Sequence, residues 1–354
     1  MSGGVTGSPG RSDRRAQDAG IPDALVAAAA DAPVTVVIGE VNRGKTTLVA
    51  RLASALFARG LAVGVLDADV GQSEVGPPTT VGLGRVTRPL ERLGDAEPVA
   101  LRFVGATSVV REQAGTVAAI ARLVDRARRL RLTHLIVDTS GLVRGDLGQR
   151  IKQAKIDAID PDLLIAIDEA GECEPILSAY RLSGRPNVLS VAPVREVRTR
   201  SADERRRHRE RALAAHFAGA SRVALDLERV AVRRPALFIG EPIDAGELAD
   251  LSSSGTELLW GERRGGEVAV VSRAALGEAE RRTVSRALRA SGFVDHAIDD
   301  IVGMLAGLED DSLDALALGA VVGLDFEQRT LTVETAADPS AVKAVAVGRE
   351  RAPR

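Results

Sequence analysis

Apolar residues follow two rhythms along this chain. Up to about residue 220, short continuous apolar runs alternate with longer stretches of helical spacing. The runs lie at 33–38 (PVTVVI), 62–66, 99–104 (VALRFV), 134–137, 163–167 (LLIAI) and 187–191 (NVLSV). Runs that are apolar at successive positions, rather than at every second one, predict strands buried on both faces. The intervening stretches 21–30, 48–59, 112–130 and 148–158 carry apolar residues three and four apart and predict helices. Strand and helix in alternation predict an α/β fold, a mostly parallel sheet flanked by helices. After Ser221 the rhythm changes to short β-branched runs between turns: 223–227, 236–239, 268–271, 315–326, 330–334 and 342–347, with a helical piece at 279–289. That is the pattern of a smaller, mainly-β C-terminal domain. The expected division is a tail over 1–20, an α/β domain over 21–220 and a β-rich domain over 221–354.

The first run leads into GEVNRGKTT, residues 39–47. It fits G-x-x-x-x-G-K-[ST] at every fixed position, and strand, glycine loop, helix is the context the motif requires. The fold is therefore expected to be that of a P-loop NTPase. Backbone amides over Gly39, Glu40, Val41, Asn42, Arg43, Gly44, Lys45, Thr46 and Thr47 would cradle a nucleotide's phosphates at a helix N-terminus. Lys45 would reach the β- and γ-phosphates and the Thr46 hydroxyl would hold Mg²⁺. The chain has only four lysines against 43 arginines, and it places a compact point charge where a planar fork fits poorly.

The second run ends in DADVGQSEVGPPTT, residues 67–80. Carboxylates at the tip of a strand beside the phosphate-loop strand lie where α/β folds bind ligands. Asp67 and Asp69, two apart on extended chain, share a face, so one of them can meet Mg²⁺ or an attacking hydroxyl. The fourth run ends in Asp138, the usual second carboxylate of phosphate-loop proteins. Asp138 and Asp69 thus compete for the metal role, and the sequence leaves both open.

Hydrophobic content is 45% with aromatics at 2%, so the cores are aliphatic. A net charge of −2 gives no global attraction to nucleic acid, and a polyanion would need a local patch. Lys152 and Lys155 are expected to line one, with the arginine-rich segment 194–219. Ser201 with Glu204 three residues on predicts a capped helix there, although Glu196, Asp203, Glu204 and Glu210 suit most of its arginines to a solvated face. Cys173 is the only cysteine and the four histidines are scattered, which disfavours disulfides and a dedicated transition-metal centre. No run approaches the length of a membrane span. The first 20 residues, rich in Gly, Ser and Arg, read as a disordered tail and not a signal peptide. The cytoplasm is the expected compartment.

With these motifs in view, the chain resembles the polynucleotide 5′-hydroxyl kinase family of P-loop proteins, in its shorter prokaryotic form. DADVGQ resembles the family's D-x-D-x-G-Q motif, FVGATS at 103–108 its clasp, VDTSGLVRG at 137–145 its lid-side motif, and RSADERRRHRERALAAHFAG at 200–219 its arginine helix. The segment from 305 to 335 resembles its C-terminal β module. The resemblance implies an ATP-dependent kinase that moves a γ-phosphoryl to the 5′-hydroxyl of RNA or DNA with Mg²⁺. It implies that Asp69 activates the hydroxyl with Asp67 beside it near the metal. Gln72 would position the metal or its water, and Thr107 and Ser108 would touch the acceptor backbone. Arg200 and Arg205 would be lid arginines over the moving phosphoryl group. Leu142 stands on the acceptor side where eukaryotic members carry tryptophan. The alternative is a nucleotide-switched ATPase or GTPase that assembles a partner without a polynucleotide acceptor. The common [NT]-K-x-D guanine signature is absent from the sequence.

Overall fold

The computed structural model describes residues 21–193, 201–252 and 256–353. They divide into two compact units, one of residues 21–104 and 108–209 with its gap, the other of residues 105–107 and 210–353.

The first unit is built on one seven-stranded sheet. In chain order the elements are α1 (Asp23–Ala30), β1 (Val34–Gly39), α2 (Lys45–Ala58), β2 (Val63–Ala68), β3 (Thr80–Arg85) and β4 (Glu97–Phe103). Then come α3 (Gln113–Arg129), β5 (His134–Thr139), α4 (Gly145–Ile159), β6 (Leu163–Ile167), α5 (Glu174–Ser183), β7 (Asn187–Val191) and α6 (Ala202–His216), whose residues from Glu210 on belong to the second unit. The strand order is β4-β3-β2-β5-β1-β6-β7. β1 lies between β5 and β6, parallel to both, and all six of its residues are buried. Val36 and Ile38 pack with Ile120 and Leu123 of α3, Ile151 and Ile156 of α4, and Ile176 of α5. Val37, on the opposite face, packs with Leu48, Leu52 and Leu56 of α2 and with α1. A strand enclosed on both faces has no polar side, which is why its sequence shows no alternation.

The sheet departs from a purely parallel one at β3, which pairs antiparallel with β2 and with β4. The sequence reading places no strand there, and Gly82 and Gly84 interrupt the apolar run. Packing imposes those glycines: a Cβ on Gly82 would stand 1.8 Å from the carbonyl oxygen of Val75. The helix α5 was likewise not foreseen. The capping box expected at the start of α6 is present, with the Glu204 amide donating to Ser201 Oγ at 3.1 Å and the Ser201 amide to Glu204 Oε2 at 2.7 Å.

The second unit holds a six-stranded and a four-stranded sheet. Its elements are β8 (Ser221–Asp226), β9 (Ala231–Arg233), β10 (Glu241–Pro242), α7 (Ala245–Leu251), β11 (Leu258–Arg264), β12 (Glu267–Ser272), α8 (Glu278–Ala287), β13 (Gly292–Ala297), β14 (Met304–Glu309), β15 (Ala315–Asp325), β16 (Thr330–Thr335) and β17 (Ala344–Arg351). The orders are β8-β16-β15-β14-β17-β9 and β10-β11-β12-β13. The strand expected at 236–239 is not one. Phe238 takes φ of 63° and only Leu237 forms an isolated bridge, to Val232, a turn conformation that a strand excludes.

Candidate active site

The site gathers at the C-terminal ends of β1, β2 and β5, three neighbours in the sheet. β1 opens into the phosphate loop at Gly39. A Cβ there would stand 2.7 Å from the carbonyl oxygen of Ile167 in β6, so only glycine lets the loop leave the strand at this angle. Gly44 ends the loop with φ of 86° as the N-cap of α2. The first amides of α2 then face the loop's concavity, which is the physical basis of anion binding.

Lys45 is 7% exposed and its Nζ donates to the Glu40 carbonyl across the loop at 2.7 Å. Burial pulls its pKa down, while the carboxylates of Asp138 and Asp69 pull it back up. Thr46 Oγ1 donates to Asp138 Oδ2 at 2.5 Å. Asp138 Oδ1 is buried and has no hydrogen-bond partner among the described residues. Burial pushes the Asp138 carboxyl up to about 6 against the pull of Lys45 and Thr46.

Asp67 and Asp138 are register partners on β2 and β5. Asp67 spends its oxygens on the loop that follows it: Oδ1 accepts from the Asp69 amide at 3.1 Å, and Oδ2 from the Glu74 and Val75 amides at 2.6 and 3.1 Å. Burial, with Asp138 nearby, pushes its pKa upward despite those donors. Asp69 is half-buried, and its Oδ1 accepts from the Gly71 and Gln72 amides at 3.0 and 3.2 Å. Gln72 Nε2 reaches the Gly71 carbonyl at 2.7 Å and the Arg205 carbonyl at 3.5 Å. One end of the acidic loop thus lies against the arginine helix α6. Arg205 itself is half-buried. Arg200 lies outside the described residues.

The residues expected on the acceptor side have the following surroundings. Leu142 is half-buried and packs against the α3–α4 face of the sheet core. Ser108 precedes the single turn Val109–Arg111. Thr107 belongs to the second unit, where its amide and hydroxyl donate to Glu350 Oε1 at 3.1 and 3.0 Å. Lys152 and Lys155 correct the sequence reading: they are 1% and 0% exposed and line no surface groove. Lys152 Nζ donates to Thr139 Oγ1 at 3.0 Å and to the Ser140 carbonyl at 2.5 Å, and Lys155 Nζ to the Ala68 carbonyl at 3.0 Å. The spacing carried the signal. Gly148, Ile151, Lys152, Lys155, Ile156 and Ile159 form the buried face of α4, and charge alone argued against placing the lysines on it.

Two further features were not foreseen. Glu40, inside the phosphate loop, accepts from both Arg43 and Arg144, and Arg43 also pairs with Glu169 and, at 3.1 Å, with Glu172. This network ties the loop to the segments after β5 and β6. Gly141 lies directly on the loop, since a Cβ there would stand 2.5 Å from the Val41 amide nitrogen. Gly141→Ala is therefore expected to destabilise the fold by about 1–3 kcal/mol, the usual cost of overpacking. A thermal melt checks this, and an unchanged midpoint would contradict it.

Residues 39–219, all of the loops just described, match the model of the family described as the mRNA cleavage and polyadenylation factor CLP1 P-loop. This chain belongs to the CLP1 P-loop family. Among its relatives is the polyribonucleotide 5′-hydroxyl-kinase of Thermococcus kodakarensis, 30% identical over 317 residues that span 89% of this chain and 87% of the relative. That of Pyrococcus furiosus is 28% identical over 299 residues, 84% of this chain and 81% of the other. A solved structure of the wild-type Clp1p–Pcf11p complex shares the fold at a TM-score of 0.57 and 12% identity, covering 97% of this chain and 80% of that one. No helix among the described residues is long and apolar enough to cross a membrane.

Proposed function

We infer that this protein is an ATP-dependent polyribonucleotide 5′-hydroxyl kinase. The observation that carries the reading is the convergence of a phosphate loop with Asp69 and Asp138 from the ends of β2 and β5, the two nearest strands on one side of β1 in the sheet, in a chain whose relatives, matched over 81% and 87% of their length, are named for that activity. Phosphoryl transfer asks a protein for position and charge more than for covalent chemistry.

The amides of the phosphate loop and the Lys45 ammonium would hold the β- and γ-phosphates. The 5′-hydroxyl oxygen forms a bond to the γ-phosphorus as the bond to the bridging oxygen breaks, and ADP leaves. Asp69 takes the hydroxyl proton. Its Oδ1 is fixed by two amides, which orients Oδ2 without consuming it. Arg205, with Arg200, would neutralise the group in flight. The site also fits Mg²⁺: an unpartnered buried Asp138 Oδ1 beside the Thr46 hydroxyl offers the hard oxygen donors that ion takes. Among the described residues no three acidic, His or Cys side chains form a cage, in keeping with an ion that shares its ligands with substrate phosphates. Thr46 and Asp138 would hold it, and it would neutralise charge on those phosphates. Asp67 is the scaffold of the acidic loop.

The test supplies γ-labelled ATP, Mg²⁺ and oligonucleotides ending in a 5′-hydroxyl or a 5′-phosphate. Label is expected on 5′-hydroxyl RNA and not on 5′-phosphate RNA, and a DNA arm measures the sugar preference. Hydrolysis of ATP with no labelled oligonucleotide would instead identify a nucleotide switch. Arg205→Ala is expected to lower turnover about 100-fold or more while the KM for ATP changes little, the mark of a contact made in the transition state. Unchanged turnover would return Arg205 to the solvated face of α6.

A further inference from the structure

Three of the chain's four lysines, Lys45, Lys152 and Lys155, are buried at this one site. Lys45 has a role in the phosphate loop. The other two stand three residues apart on one face of α4, a spacing that aims both side chains the same way. A buried ammonium is costly unless its surroundings need it.

What each one holds is specific. The peptide linking Ala68 to Asp69 is gripped at both ends: its N–H donates to Asp67 Oδ1 at 3.1 Å, and its carbonyl accepts from Lys155 Nζ at 3.0 Å. Asp69 springs from that peptide. Lys152 grips the Ser140 carbonyl, two residues beyond Asp138, and also the Thr139 hydroxyl. Thr139 Oγ1 in turn donates to the Val37 carbonyl in β1, at 2.8 Å, just upstream of the phosphate loop. A single helix turn therefore braces the loops after β2 and β5, and through Thr139 it reaches β1. Burial holds Lys155 down at about 8 even though Asp69, Asp67 and Asp138 all favour its charge. Burial and the neighbouring Lys155 hold Lys152 well below the usual lysine value.

We propose that Lys155 and Lys152 are positioning residues of the transfer site, Lys155 fixing the peptide that aims Asp69 and Lys152 fixing the turn that follows Asp138. The proposal rests on the kinase reading for its consequence in rate, though not for its consequence in structure. Methionine replaces the unbranched aliphatic stem of lysine and suits a buried slot, but it carries no donor and no charge.

The test measures Lys155→Met and Lys152→Met separately in the full chain, in two ways. The first is steady-state transfer from ATP to 5′-hydroxyl RNA. Turnover of Lys155→Met is expected to fall about 100-fold, the penalty of a reacting group displaced by an ångström or so, with the KM for ATP within about twofold of wild type. The second is amide hydrogen exchange, which needs no activity. Amides in 67–75 should exchange about tenfold faster in Lys155→Met, and those in 139–145 in Lys152→Met, with the amides of β1 unchanged. Turnover within about threefold of wild type and unaltered exchange in the two loops would overturn the proposal. Equal losses of turnover, ATP affinity and exchange protection throughout the first unit would also overturn it, as a structural role only. If one variant does not fold, the other is read at its own loop. A wild-type protein that labels no RNA would strike the kinase reading alone, and the exchange arm would still decide the brace.

Discussion

Lys45→Ala will fold and will transfer no measurable phosphoryl group, with a loss of about a thousandfold or more. The size follows from what the side chain does. Preorganised charge aimed at a developing anion in a dry site is worth about two to three orders of magnitude per group. Lys45 is nearly enclosed and already stretched across the loop to the Glu40 carbonyl, so its charge needs little rearrangement to meet a phosphate. Removing it also strips Asp138 of the charge that does most to lower its pKa, and a neutral Asp138 would be a poor metal ligand. Lys45→Arg should be nearly as inactive, because a planar guanidinium cannot enter a slot shaped for an ammonium stem. A melting midpoint near that of wild type, measured beside the labelling assay, separates lost chemistry from lost fold. Transfer within about tenfold of wild type in either variant would refute this role for Lys45.

Asp69→Asn will lower turnover by about 10²–10⁴-fold, the usual value of a positioned general base, and will leave the KM for ATP nearly unchanged. Asparagine keeps an oxygen able to accept from the Gly71 and Gln72 amides, so the acidic loop should keep its shape. Asp138→Asn should differ in kind. Its partner is the Thr46 hydroxyl, and the variant should need more Mg²⁺ to reach its maximal rate. Titrating both variants with Mg²⁺ distinguishes the roles. Full turnover in Asp69→Asn would transfer the base assignment to Asp138.

The sequence showed some parts of the molecule clearly, for physical reasons. β6 starts and ends where its apolar run does, since buried parallel strands carry no other pattern, and β7, an edge strand with none of its residues buried, matches its run in extent as well. The phosphate loop was legible because its glycines answer to backbone geometry that few other residues satisfy. β3 was hidden by Gly82 and Gly84, whose presence is dictated by the chain packed over them. In the second unit β11, β13 and β14 went unmarked, and the short apolar run around Phe238 turned instead of extending. At the site, motif and spacing drew attention to Lys45, Thr46, Asp69 and Asp138. They did not show that Asp67 would be consumed by its own loop, or that Glu40 would join two arginines. Lys152 and Lys155 were misplaced by a sound general expectation, that charged residues face water. Their helical spacing with Ile151, Ile156 and Ile159 and the scarcity of lysine in an arginine-rich chain both pointed inward.

The central claim is that the phosphate loop is the donor half of a two-substrate site. The most direct measurement of it counts two products in one reaction: ADP released and RNA 5′ ends phosphorylated, with 5′-hydroxyl RNA in excess. A two-substrate site predicts one phosphorylated end for each ADP, and almost no ADP when the RNA is left out. ADP that accumulates at the same rate with or without RNA, with no phosphorylated ends, would contradict the account.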